Sequence, residues 1–113
     1  MQEDNYRERR LVPRFSIDIP LKYLNATIHK VCQARTFNIS SSGLGLATEE
    51  EIATGTVLDI WLSMPDNHEQ IPAKGQVVWS KKVDQKNYLV GVSLSNYALK
   101  PIPIVLRAIQ AKF

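Results

Sequence analysis

Only one cysteine, Cys32, occurs among the 113 residues, so the chain cannot form an internal disulfide and lacks the cysteine pattern of a disulfide-rich secreted domain. No hydrophobic run approaches the roughly 18 residues that a membrane-spanning helix needs. The first ten residues, MQEDNYRERR, contain no apolar segment of the kind found in signal peptides. These absences lead us to expect a soluble, cytoplasmic protein that does not insert into membranes.

Motifs for catalysis and metal binding are missing as well. The sequence contains neither a phosphate-binding Walker loop nor a nucleophile elbow. Its two histidines, His29 and His68, are far apart and belong to no recognisable set of metal ligands. Cys32 falls in a strand-like pattern, which favours a small buried residue over a nucleophile. We therefore predict that the protein is not an enzyme and has no catalytic residues, no metal site and no cofactor.

The composition does support one folded domain. Hydrophobic residues make up 44% of the chain and charged residues 22%, which favours a packed core over disorder. A length of 113 residues fits a single domain. The net charge of +3 permits an anionic partner but does not indicate a long nucleic acid.

Alternating apolar and polar residues predict a series of short strands separated by turn residues. The last segment, residues 98–113, changes to the spacing of an amphipathic helix. This order predicts an all-β-dominated fold, a small antiparallel β-barrel or curled sheet with a C-terminal helix. The predicted strand segments are FSIDIPLKYLN, TIHKVCQARTFNI followed by LGLAT, VLDIWLSMP, IPAKGQVVWSKK and NYLVGVSLS.

The arginines are concentrated ahead of the first predicted strand. The segment RERRLVPRF, residues 7–15, contains four of the six arginines. Pro13 favours extended backbone, in which Arg10 and Arg14 face the same side about 13 Å apart, at about 3.3 Å per residue. Guanidinium groups bind phosphate and the guanine edge in a bidentate manner and stack on bases. The segment therefore fits either a clamp for an anion with phosphates and purines or a solvated charged stretch.

A second polar motif, NISSSG, interrupts the second predicted strand at residues 38–43. Asn38 and Ser40 provide short, directional hydrogen-bonding groups in a turn. Gly43 allows a positive φ or the close approach of a ligand to the backbone. The same composition also suits an ordinary turn between strands, so this motif alone leaves both interpretations open.

In this order the two motifs resemble the PilZ domain family, which is marked by Arg-x-x-x-Arg on an N-terminal loop and Asp/Asn-x-Ser-x-x-Gly on a barrel strand. GQVVWS and YLVGVSLS also resemble the later strands of that family. The resemblance implies a six-stranded, split-barrel domain over residues 7–113. We expect a mobile tail at 1–6, an arginine loop at 7–14, the barrel at 15–96 and the helix at 98–113.

The resemblance also implies a ligand, the bacterial second messenger cyclic di-GMP, and a role for each matching residue. Arg10 and Arg14 would clamp the phosphates and guanines, Asn38 and Ser40 would hydrogen-bond the ligand, and Gly43 would shape the turn. Arg9 stands just before the first motif, where a basic residue is compatible in the family with two stacked ligand molecules per domain; the other interpretation of Arg9 is a solvent-facing charge. The ligand-binding candidates are therefore Arg9, Arg10, Arg14, Asn38, Ser40 and Gly43.

Two further residues each have two interpretations. Arg35 either reaches the ligand or pairs with an acid. Trp79 either packs in the core or at the barrel rim, or stacks near a guanine.

As a function, we expect a cyclic di-GMP receptor in which the ligand orders the arginine loop and changes a surface read by a protein partner from motility, secretion or polysaccharide machinery. Two alternatives stay open: a small barrel that binds single-stranded nucleic acid, and a PilZ-like protein-interaction scaffold without a ligand. We expect no nucleic acid partner, because exposed aromatic residues along a basic groove are not evident.

Overall fold

Alternation of apolar and polar residues produces six strands in the computed structural model, which describes residues 15–40 and 42–94. The predicted tail, arginine loop and C-terminal helix lie outside these residues. The strands are β1 (Pro20–Asn25), β2 (Lys30–Ile39), β3 (Gly43–Thr48), β4 (Val57–Ser63), β5 (Gln70–Lys82) and β6 (Tyr88–Leu94).

All neighbouring strands are antiparallel, and they close into a barrel in the order β1-β2-β3-β6-β5-β4. Closure depends on β1, which pairs with β2 on one edge and with β4 on the other. Every second side chain points inward, as in β4, where Leu58, Ile60 and Leu62 are fully buried. The predicted six-stranded antiparallel barrel is confirmed.

The first strand is shorter than the predicted segment FSIDIPLKYLN. β1 begins only at Pro20, which has no N–H to contribute to a ladder and is tolerated at the first position of a strand. Before it, the buried Thr36 adds side-chain bonds to the backbone bond that its amide donates to the Ile19 carbonyl at 2.9 Å. Its hydroxyl accepts the Ile19 amide at 2.9 Å and donates to the Ile17 carbonyl at 2.6 Å. These bonds hold the entering segment against β2.

A β-bulge in β2 alters the outer wall. The register with β3 shifts between Thr36 and Asn38, so Phe37 is an extra residue and Asn38 stands opposite Gly45. Bulges let two consecutive side chains face one side of a sheet and increase the local twist. The wall at this point therefore presents both Phe37 and Asn38 to the outside.

One polar cluster is centred on the Glu50 carboxylate at the end of the barrel near the β1–β2 hairpin. Glu50 Oε1 accepts two hydrogen bonds, one from the Tyr23 hydroxyl at 3.0 Å and one from the Cys32 thiol at 3.3 Å. Lys30 Nζ lies 3.0 Å from Glu50 Oε2. Burial opposes the ionisation of Glu50, but hydrogen bonds from these three partners outweigh it and hold its pKa below the ordinary value.

The two neutral donors of the cluster are stabilised in their protonated forms. Burial raises the pKa of the Tyr23 hydroxyl and, together with the bond to Glu50, raises the pKa of the Cys32 thiol. Since the thiolate is the reactive form of cysteine, this environment does not activate Cys32 as a nucleophile.

We expect Glu50→Gln to remove part of the pH dependence of folding stability. A carboxylate with a depressed folded-state pKa stabilises the fold above its unfolded pKa, and that contribution is lost as the pH falls through the folded pKa. The wild type should exceed the variant by about 1 kcal/mol at neutral pH, with the difference shrinking below about pH 4. Urea unfolding at pH 7 and pH 3 measures both values.

Glu51→Gln is the matched control, because Glu51 is an exposed neighbour outside the cluster. The assignment is wrong if the two glutamine variants show the same pH profile.

Candidate functional site

The turn between β2 and β3 is held by the second sequence motif. The buried Ser40 accepts the Gly43 amide on its hydroxyl at 3.2 Å, and its own amide donates to the Gly43 carbonyl at 2.8 Å. A side chain at Gly43 would clash with the carbonyl oxygen of Val92 in β6. Gly43 is therefore required by the close approach of β6 rather than by a positive φ, and Ser40 closes the turn.

Asn38 of the same motif has an unused acceptor. Its Oδ1 atom is buried and has no hydrogen-bond partner within the part of the chain that the structure describes. Buried polar atoms are paired in the great majority of cases, and leaving one unpaired costs about 1–3 kcal/mol. The environment of Asn38 thus points to a donor that is supplied from outside the described residues.

Gly45 explains why this acceptor lies flat against the barrel. Leu44 and Leu46 point into the core, so a side chain at Gly45 would point outward. A Cβ there would stand 2.7 Å from Asn38 Oδ1 and 2.6 Å from a ring carbon of Phe37. Only the absence of this atom lets the amide and the ring rest on β3.

A second bulge, in β5, repeats this arrangement across the neighbouring strand. The register with β6 shifts between Val77 and Trp79, which places Trp79 opposite Gly91. A Cβ on Gly91 would stand 2.6 Å from Cδ1 of the indole, which therefore lies across the strand. Gly91 is the direct ladder partner of Gly45, so the two bulges place aromatic rings over adjacent glycines.

The five residues Phe37, Asn38, Gly45, Trp79 and Gly91 form one surface on the outer wall, named here the aromatic face. The Phe37 and Trp79 ring centroids are 6.3 Å apart and the planes are tilted by 57°. Trp79 retains 37% of its surface exposed, so its indole is at the outer wall rather than in the core. The face combines an exposed aromatic ring with an acceptor that has no partner among residues 15–40 and 42–94, which suits a flat ligand that carries hydrogen-bond donors.

The arginine segment is attached next to this face. Phe15 forms a bridge with Ile39, in which the Phe15 amide donates at 2.8 Å and the Ile39 amide at 2.9 Å. Arg14 directly precedes Phe15, and Asn38 directly precedes Ile39. The residue that follows the first motif is therefore paired with the residue that follows Asn38 in the second. Arg9, Arg10 and Arg14 themselves lie outside the described residues.

Arg35 lies on the same outer wall, two residues before Phe37. Its Nε donates to the carboxylate of Asp18, and both side chains are largely exposed. Of the two interpretations of Arg35, the structure shows the pairing with an acid.

Residues 15–40 and 42–94 contain no group of three or more histidine, cysteine or acidic side chains that could hold a metal ion. No helix within those same ranges is long and apolar enough to cross a membrane.

The fold and the aromatic face define a small closed barrel with a candidate ligand surface on its outer wall. The model of the PilZ domain matches residues 7–103, and the chain belongs to the PilZ domain family. PilZ domains are regulatory domains that bind cyclic di-GMP, not enzymes. No curated protein matches the chain in sequence.

Solved structures share the fold at low sequence identity. The chain is similar to Bacillus subtilis MotI/DgrA, an inhibitor of motility, at TM-score 0.65 and 14% identity, over 92% of this chain and 51% of that one. It is similar to the PilZ domain of CeSA from a cellulose-synthesizing bacterium at TM-score 0.58 and 11% identity, over 89% and 99%. MrkH, a c-di-GMP-dependent transcription regulatory factor, aligns at TM-score 0.58 and 12% identity, over 90% and 48%. The chain thus spans about half the length of the MotI and MrkH chains.

Sequence reasoning missed three members of the aromatic face, namely Phe37, Gly45 and Gly91. The available signal was a glycine inside each of two predicted strands, because glycine in a strand often marks a bulge or a close approach. Neither glycine could be matched to its ring without knowledge of which strands pair.

We expect Gly91→Ala to displace the Trp79 indole, because the added methyl group occupies its position. In a Trp61→Phe background Trp79 is the remaining tryptophan, and its emission should shift to longer wavelength with greater quenching by acrylamide. Since the Trp79 side chain can move aside, the free energy of unfolding should fall by only about 1 kcal/mol. Ser93→Ala, on the same strand, is the control. An unchanged emission spectrum in Gly91→Ala would contradict the described position of the indole.

Proposed function

We propose that this chain is a cyclic di-GMP receptor whose ligand binds between the arginine segment and the aromatic face. The single observation that supports this most strongly is the Phe15–Ile39 bridge. It attaches the arginine segment one residue from Asn38, so both motifs can contact one small molecule.

The chemistry of the aromatic face matches a guanine base. Guanine carries an N2 amino donor and, beside it, a ring N–H. Asn38 Oδ1 is an acceptor without a partner in the described part of the chain. The exposed Trp79 ring offers a stacking surface at the same place. We assign Asn38 to the base edge and Trp79 to stacking, while Ser40 and Gly43 maintain the turn that positions Asn38. Direct contact between Ser40 and the ligand remains a prediction. In the structure the Ser40 hydroxyl is hydrogen-bonded to Gly43 within the turn.

The arginines supply the charge complement. Cyclic di-GMP carries two phosphate charges and two purines, and Arg10 and Arg14 provide bidentate donors and flat stacking surfaces. Ligand contacts with both motifs would order the arginine segment against the barrel, which is a common form of ligand switch. A domain that changes only its surface needs a protein partner to read the change, and machinery of motility, secretion or polysaccharide synthesis fits this role.

We expect calorimetric titration with cyclic di-GMP to show binding by the wild type and at least tenfold weaker binding by Arg10→Ala and Arg14→Ala. Each removes charge-assisted hydrogen bonds worth about 1.5–3 kcal/mol. Arg35→Ala is the matched control, because it also removes an arginine side chain, but one that is paired with Asp18. Equal binding by all four proteins, or a steep salt dependence typical of nucleic acid contacts, would contradict the proposed site.

Asn38→Ala separates ligand binding from folding. Its Oδ1 has no partner in the described structure, so removing the amide should leave the free protein at least as stable as the wild type. The same change should weaken cyclic di-GMP binding by about tenfold if the amide contacts the base. Thermal unfolding and calorimetry of one preparation give both values. A variant that loses stability but keeps its affinity would contradict the assignment.

Arg9 is expected to set the ligand stoichiometry. If its guanidinium supports a second, stacked ligand molecule, the wild type should bind two molecules per domain and Arg9→Leu one. The fitted stoichiometry from calorimetry, checked by native mass spectrometry, tests this directly. One molecule bound in both proteins would remove Arg9 from the site without affecting Arg10 and Arg14.

A further inference from the structure

β5 extends past its neighbour β4. β5 pairs with β4 only over Gln70–Gln76, and two further backbone bonds join Val77 to Gly55 and Thr56. On its other edge β5 pairs with β6 as far as Lys82. Residues 78–82, named here the open edge, therefore have a strand partner on one side only among the described elements.

The backbone groups on the open edge can be identified from the hydrogen-bond alternation. The Val83 amide donates to the Asn87 carbonyl at 2.8 Å, which directs Val83 toward the β6 side. Because this direction alternates along an antiparallel strand, the N–H and C=O groups of Ser80 and Lys82 point away from β6. Both residues are exposed, so these groups face solvent and can pair with an added strand.

Apolar and basic side chains flank the open edge. Val78 and Val83 are 55% and 54% exposed, which is high for valine. Lys81, Lys82 and Lys86 are exposed, and the nearest acid, Asp84, is engaged within its own turn by the Asn87 side-chain amide and the Lys86 backbone amide at 2.9 Å. This hairpin therefore presents an excess of positive charge beside its open backbone.

We propose that the open edge docks an extended, acidic segment of a protein partner by strand addition. A peptide backbone supplies both donors and acceptors for Ser80 and Lys82, whereas a phosphate chain supplies acceptors alone. Acidic side chains complement the lysines. A second copy of this chain would instead bring its own lysines against them, and lysines on an edge oppose such self-pairing.

The open edge is connected to the candidate ligand site through Trp79. This residue belongs to the open edge, while its indole covers Gly91 on the aromatic face. A ligand that stacks on Trp79 and a strand that pairs with Ser80 would therefore contact the same short segment. This coupling rests on the proposed function, whereas docking at the open edge does not.

The test uses the full chain and a blocked ten-residue peptide of alternating valine and glutamate. The peptide should bind, and amide hydrogen exchange, followed by NMR, should slow at Ser80 and Lys82. The equivalent valine–lysine peptide should bind at least tenfold more weakly. A thymidine decanucleotide that protects the same amides better than the acidic peptide would overturn the proposal, as would a wild-type dimer formed through this edge.

Three substitutions make the test specific. Ser80→Pro removes the Ser80 amide, a donor that β6 does not use. This change should abolish the peptide-induced slowing of amide hydrogen exchange at the open edge. Lys82→Glu should weaken binding of the acidic peptide about fivefold, whereas Lys22→Glu, the same charge change on β1, should not alter it. The proposal is overturned if the acidic peptide does not bind the wild type, or if all three variants bind it equally.

Titration of these proteins with cyclic di-GMP keeps the two proposals apart. Peptide binding without any cyclic di-GMP binding would refute the proposed function and retain the docking edge. The reverse result would refute the docking edge alone.

Discussion

The close pairing of Gly45 with Gly91 is the constraint on which the outer wall depends. Each glycine stands opposite a bulge, and each lacks the Cβ atom that would lift an aromatic ring away from the sheet. Phe37 and Trp79 can therefore lie across adjacent strands and meet. A sheet normally presents one side chain per two residues on each face, but a bulge presents two in succession. The candidate ligand surface thus arises from two extra residues and two missing side chains.

The bulge in β5 affects two surfaces at once. It turns Trp79 onto the aromatic face, and it begins the stretch of β5 that β4 does not cover. A closed barrel leaves few edges for strand addition, and in the described part of the chain β5 has such an edge beyond the barrel wall. In the two proposals the ligand would contact Trp79 and the partner strand would pair with Ser80, and these are neighbouring residues of one strand.

The strands could be predicted because alternation is a local property, whereas the bulges and the barrel closure depend on partners far away in sequence. Asn38 was identified through its motif, but Phe37 beside it was not, since its role appears only when Gly45 is known to lie opposite. Similarly, three consecutive glutamates look alike in the sequence. Only the fold brings Tyr23 and Cys32 to Glu50 and gives that carboxylate a depressed pKa.

Ser40 and Asn38 belong to one motif but differ in how their polar groups are used. Ser40 is satisfied within its turn, so it contributes to stability whether or not a ligand is present. Asn38 Oδ1 is buried without a hydrogen-bond partner among the described residues, an arrangement that is unfavourable until a donor is supplied. A base that places donors on its pairing edge, as guanine does, gains from this difference. In the proposed site, a base without donors at that position would leave the cost in place, so the penalty at Asn38 would discriminate between ligands.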